Sequence, residues 1–224
     1  ARGVLATTSE GGGVRRGNLV ATVTLLVLFL IAVIFVVAVL LVPLRGAVRQ
    51  AGSRLVTCGT LYFALIGMGF MLVEIGLLQR LSIFLGHPVY SLSVLLSTLI
   101  LSTGIGSFLS EKWILASKGR LVIWGIAAGG YAVSLTFLFG PLFDALSAAA
   151  LGMRIAACMA IIAPAGILLG FGFPSGMRLV SAIDAKPTPW FWSINGAAGV
   201  LASIIGVTLS LALGIAATLV LGAL

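Results

Sequence analysis

The chain has 224 residues, of which 61% are hydrophobic and only 8% charged, with a formal net charge of +8. Soluble domains carry roughly a quarter charged residues, so a soluble enzyme, a secreted disulfide scaffold and a disordered chain are excluded and an integral membrane protein is indicated. The 13 basic residues stand singly or in pairs between apolar runs, a pattern that excludes a nucleic-acid interface and reads instead as membrane orientation.

Residues 1–18 (ARGVLATTSEGGGVRRGN) are polar and glycine-rich. They read as a linker that enters the membrane from a soluble domain upstream. The Glu10-Gly11-Gly12-Gly13 run is not a nucleotide loop, because a membrane helix follows it and no acidic residue lies some 20 positions on. From residue 19 to 224 the chain reads as one transmembrane domain. A helix needs about 20 apolar residues to cross about 30 Å of hydrocarbon. Spans are predicted at 19–44, 55–78, 89–110, 121–139, 155–173 and 189–213, with 215–224 as half of a seventh. The runs are continuous, whereas a membrane barrel would alternate apolar and polar residues in segments of about ten. The expected fold is therefore all-α, a polytopic transmembrane helix bundle with six full spans and a partial seventh. Residues 141–152 are too short to cross and predict a short interfacial helix.

Basic residues set orientation. The side of the N-terminus, side A, holds Arg2, Arg15, Arg16, Arg80 and Arg154, and the opposite side B holds eight Lys and Arg. Side B is the better cytoplasmic candidate. Cys58 falls near the B end of the second span and Cys158 near the A end of the fifth, too far apart for a disulfide. Both are expected to be free thiols behaving as small core residues.

Small residues recur every four positions at Thr98, Ser102, Gly106 and Ser110, at Ala198, Ala202, Gly206, Ser210 and Gly214, and in the pairs Gly125/Gly129 and Gly166/Gly170. Such rows let helix backbones approach closely. Glu74 is the single acid inside a span, so it must be paired, protonated or facing a polar cavity. Arg80, His87 and Arg154 fall on the same side, Arg154 being the first choice of partner. This candidate polar membrane site reads either as a proton or cation site or as a structural ion pair. His87, in Gly86-His87-Pro88, can equally cap the turn. Gly172, Pro174 and Ser175 predict a break ending the fifth helix on side B, with free amides able to hold an anion. Asn195, behind the interfacial Trp190 and Trp192, is expected to bond across to it. No catalytic set, metal cluster or cofactor motif is present in these motifs, and no complete catalytic site can be assembled from them.

The stretch YFALIGMGFMLVEIGLLQRLSIFLGHPVYSLSVLLSTLILSTGIGS (62–107), Gly172-Phe173-Pro174-Ser175-Gly176 and Pro189-Trp190-Phe191-Trp192-Ser193-Ile194-Asn195-Gly196 resemble the membrane region of bacterial spermine/spermidine synthase-like proteins. The likeness covers residues 19–213. It implies a multi-pass inner-membrane module anchoring an upstream aminopropyltransferase-type domain, whose glycine loop and catalytic aspartates have no counterparts here, and handling a cationic amine. That domain works on cytosolic substrates, which would place side A inside, against the basic-residue count. The alternatives are half of a small-molecule transporter and a non-catalytic scaffold subunit. Expected partners are the lipid bilayer, the upstream domain, and other membrane subunits or further copies of the chain.

Overall fold

The computed structural model describes residues 19–20, 22–49, 51–112 and 118–224. The linker expected at 1–18 lies outside the described residues. Helix accounts for 92% of those described, and none of them forms a strand. The elements are α1 (Thr22–Ala38), which widens into a π-helical segment at Val36–Leu41, then α2 (Val42–Val48), α3 (Ser53–Leu85), α4 (Pro88–Lys112), α5 (Lys118–Leu146), α6 (Leu151–Gly170), α7 (Gly172–Ile183), α8 (Thr188–Leu213) and α9 (Ile215–Ala223). Five helices, with α6 and α7 running on as one, are long and apolar enough to cross a membrane, and α1 is a shorter apolar helix. Ile123, Ile126 and Phe137 on α5 are each about 70% exposed. Water does not tolerate such a face at this density, but acyl chains do. The protein is a multi-pass membrane protein.

Several helices outrun their predicted spans. The second span was expected to stop at residue 78, but α3 continues through Gln79 and Arg80 to Leu85, because a charge ends an apolar run without breaking a helix. Gly86 stops it in the left-handed region at φ 74°, where glycine carries no Cβ penalty. No separate interfacial helix occupies 141–152. α5 absorbs Pro141 and ends at Leu146, since a membrane helix tolerates a proline whose freed carbonyl finds other partners. The π-helical widening, with the Val42 amide bonding the Val37 carbonyl, sits directly before Pro43, which has no N–H to continue the regular ladder.

Two parallel pairs form the frame. α3 and α8 run side by side from side B, with Gly59 against Phe191, Gly67 against Asn195 and Gly206 against Leu72. α4 and α6 run side by side from side A. A Cβ on Gly106 would strike the Ile167 carbonyl, one on Gly166 would strike Ser102, and one on Gly170 would strike the Thr103 backbone. Thr98, Ser102, Gly106 and Ser110 are accordingly all buried. Gly129 is tight against the Ala223 carbonyl, whereas Gly125, the other glycine of that pair, meets nothing within 4 Å.

α9 turns back. Gly214, at φ 89°, reverses the chain, and Leu219 then packs on Gly76 while Gly222 lies against Gly69 and Val73. The buried hydroxyl of Thr218 is 2.9 Å from Ser210 across that turn. The main core gathers Val73, Leu77 and Leu81 of α3, Leu95 and Leu99 of α4, and residues of α5, α6 and α9. A smaller aromatic core, built on Phe63, Phe191 and Val180, closes the B end. Cys158 is buried and Cys58 exposed, both free, so only the former is a core residue.

Candidate functional site

The sequence places Gly67, Met71 and Glu74 at i, i+4 and i+7, which puts them on one strip of α3. That strip floors a groove. α4 and α8 both pack on α3 and stand apart over it, leaving a cavity of about 640 Å³ lined by Phe70, Met71, Thr103, Pro174, Asn195 and Ser203 among others. Among the described residues, no charged one lines it. Glu74 lies one turn further toward side A on the same strip of α3, outside the lining.

Polar groups on the groove walls are largely satisfied within their own helices. Thr103 donates to the Leu99 carbonyl at 2.6 Å and Ser203 to the Val200 carbonyl at 2.8 Å. Asn195 is different, because its Nδ2 donates across to the Phe63 carbonyl on α3 at 3.0 Å. Its expected partner was the broken end of the fifth helix, and the structure gives it α3 instead. The reason is proximity: Gly67 has no side chain, so α8 approaches until the Asn195 backbone lies where a Cβ would be.

The expected helix break is also corrected. α6 passes into α7 through the single residue Phe171, which keeps right-handed helical angles at φ −74° and ψ −32°. The Phe171 amide bonds Leu168, and the Ser175 amide bonds Phe171. The Phe171 and Ser175 amides are therefore engaged. Pro174 falls in the first turn of α7, where a missing N–H costs nothing, so the residues that looked like a break are accommodated. Gly172 faces the Trp124 ring, and Tyr62 donates to the Gly172 carbonyl at 2.8 Å. Ser175 is buried, and its hydroxyl has no hydrogen-bond partner among the described residues. Arg178, one turn on, ties α7 to α4 by donating to Ser110 at 2.5 Å and to the Pro174 carbonyl at 3.3 Å.

On side A the four polar residues separate. Six residues part Glu74 from Arg80, a turn of about 120° around α3 and a rise of about 9 Å. No ion pair or hydrogen bond engages Glu74 among the described residues. Arg154 instead lays its guanidinium over the Phe84 ring at 4.5 Å, and Phe84 stacks on Phe143 at 4.0 Å. This arrangement joins α3, α5 and α6 at their A ends. The Nε atoms of Arg80 and Arg154 are buried without a hydrogen-bond partner among the described residues. His87 is exposed and caps α4, its Nδ1 accepting from the Val89 amide at 3.3 Å. Its ring contacts Tyr90.

No family model, curated protein or solved structure matches the chain. The site therefore stands on its own geometry: a groove whose described lining is uncharged, with one acid a helical turn beyond it on the same helix.

Sequence reading missed a second groove, between α4 and α5 over α6. Lys112 and Arg120 lie at its mouth and Trp124 on its wall. The signal was available as the i, i+3, i+4, i+7 set Arg120, Ile123, Trp124 and Ala127. Its other wall, 40 residues away on α6, could not be paired with it from spacing alone. The indole N–H of Trp190 likewise points inward to Thr60 at 2.8 Å, whereas an interfacial anchor was expected.

Proposed function

We propose that this chain is the membrane module of a spermidine-synthase-like protein of the bacterial inner membrane. In this reading it crosses the bilayer six times, with α9 as a re-entrant half-span, and anchors an aminopropyltransferase-type domain on side A. The bundle handles a cationic amine through the groove between α4 and α8. The observation that carries the reading is Glu74, an acid without an ion-pair partner among the described residues on the α3 strip that floors that groove. A lone carboxylate at this depth is costly, and an ammonium group entering along an otherwise uncharged groove offsets that cost. The motifs around Glu74 and at 172–176 and 189–196 support the amine as the ligand class.

The test is binding of spermidine to the full chain in nanodiscs. Glu74→Gln should weaken it about tenfold or more, the equivalent of about 1.4 kcal/mol, while Lys186→Gln, exposed in the turn before α8, leaves it unchanged. Equal affinity in wild type and Glu74→Gln would overturn the reading. The mass of the protein from its native membrane, expected well above 23.0 kDa, tests the attached domain.

The transporter-half reading is favoured by one observation. α9 reverses at Gly214 and packs back against the middle of α3, as discontinuous helices do at transport sites. Amine uptake into proteoliposomes by this chain alone would support it.

A further inference from the structure

The second groove points to a different ligand. α4 and α5 both pack beside α6 and leave between them a cavity of about 790 Å³ at the B end of the bundle. This is within the range of specific small-molecule sites, about 300–1,000 Å³. Its walls are apolar: Ile123 and Ala127 on α5, Ile167 and Leu168 on α6. Trp124 contributes its ring but no free donor, because its indole N–H is held by the Leu168 carbonyl at 2.8 Å. Two charged residues, Lys112 and Arg120, line the cavity, and both are cations. They are exposed and come from the facing ends of α4 and α5, so they stand where the spans leave the hydrocarbon. Glu111, the nearest acid in sequence, does not line the cavity.

An apolar slot that ends in two cations at the membrane surface has one natural complement, a molecule with an apolar chain and an anionic head at the same spacing. We propose that the groove between α4 and α5 is a binding site for an anionic phospholipid. The phosphate lies between Lys112 and Arg120, and one acyl chain runs along Trp124 and Ala127 over α6. Basic pockets between helices favour anionic head groups because each cation near the surface adds about 1 kcal/mol of attraction. The apolar walls make the source a lipid rather than free phosphate. This site is independent of the amine reading, since it shares no residue with Glu74 or its groove.

The experiment uses Trp124 as the reporter. The full chain, with Trp113, Trp190 and Trp192 replaced by phenylalanine so that Trp124 alone emits, is reconstituted in phosphatidylcholine vesicles containing either brominated phosphatidylglycerol or brominated phosphatidylcholine at the same mole fraction. Tryptophan fluorescence should be quenched more by the brominated anionic lipid. Lys112→Gln with Arg120→Gln should remove that excess, whereas Lys112→Arg with Arg120→Lys should retain it. Ala127→Phe, at an exposed position that fills the slot but leaves the cations, should also remove it, which separates insertion of a chain from adsorption of a head group. Inorganic phosphate at millimolar concentration should not compete. Equal quenching of Trp124 by the two lipids with Lys112 and Arg120 in place would overturn the proposal. So would an excess that survives Lys112→Gln with Arg120→Gln, one that survives Ala127→Phe, or one abolished by free phosphate. Should a variant fail to fold, the wild-type thermal midpoint decides. It should rise more with phosphatidylglycerol than with phosphatidylcholine, and an equal rise overturns the site.

Discussion

The bundle carries two grooves that share α4 and differ in where their charge lies. The groove between α4 and α8 has α3 as its floor and hydroxyls and an amide on its walls, and Glu74 follows on α3 a turn beyond the lining. The groove between α4 and α5 has α6 as its floor, purely apolar walls, and two cations at its mouth. Both arise in the same way. A helix that packs on one partner of a parallel pair cannot also close on the neighbouring helix, because the tight contacts between backbones fix its position. The volumes are similar, so shape does not distinguish the ligands. The sign and depth of the charge do: a carboxylate within the span selects a cation that can leave water, and cations at the surface select an anion that need not.

The comparison can be broken most severely at the ridge between the grooves. Gly106 lies where a Cβ would meet the Ile167 carbonyl, and backbone cannot rotate aside as a side chain can. Gly106→Leu should cost about 3 kcal/mol or more and abolish both grooves together, seen as a fall in the thermal midpoint in detergent. A wild-type midpoint would mean that α4 and α6 are not in close contact.

Glu74→Gln should separate the grooves functionally, weakening spermidine binding about tenfold with no change in quenching by brominated phosphatidylglycerol. The reverse pattern would assign the charges to the wrong ligands. A smaller effect is expected at Asn195→Leu, which removes the side-chain hydrogen bond from α8 to the Phe63 carbonyl of α3. Interhelical bonds of this kind contribute about 0.6 kcal/mol and rarely above about 1.7, so a loss of about 1 kcal/mol is expected, confined to the α3 and α8 pair. The smallest effect sharpens the view of α4. Gly104 lines the first groove with nothing within 4 Å of its would-be Cβ, so Gly104→Ala should be neutral or raise stability by up to about 1 kcal/mol. Its neighbour two residues on has the opposite sign, although both are glycines of one helix.

Much of this was legible in the chain. Continuous apolar runs dictate helices, because hydrocarbon offers no partner for an unpaired amide, and the rows at 98–110 and 166–170 announce close helix contacts. Glu74 stands out because no other acid is buried in a run of that length. His87 was legible as a turn residue, since glycine before it and proline after it leave the imidazole beside an open helix start. What spacing could not supply was the partner of each face. Arg154 was expected to meet Glu74 because both lie toward side A, yet it meets Phe84. Periodicity along one helix gives the direction of a side chain, but not the rotation of the helix that faces it.

The same division holds for the whole molecule. Sequence alone determined the class of environment, the helical state and the positions of the charges, all of which follow from local transfer energies and backbone hydrogen bonding. Tertiary structure alone decided that Gly67 admits Asn195, that Phe171 carries α6 on into α7 without a break, that α9 folds back beside Gly76, and that Lys112 and Arg120 share one mouth. Those outcomes depend on which helix backbones can touch. Such contact is a property of two surfaces brought together, and one surface read by itself does not contain it.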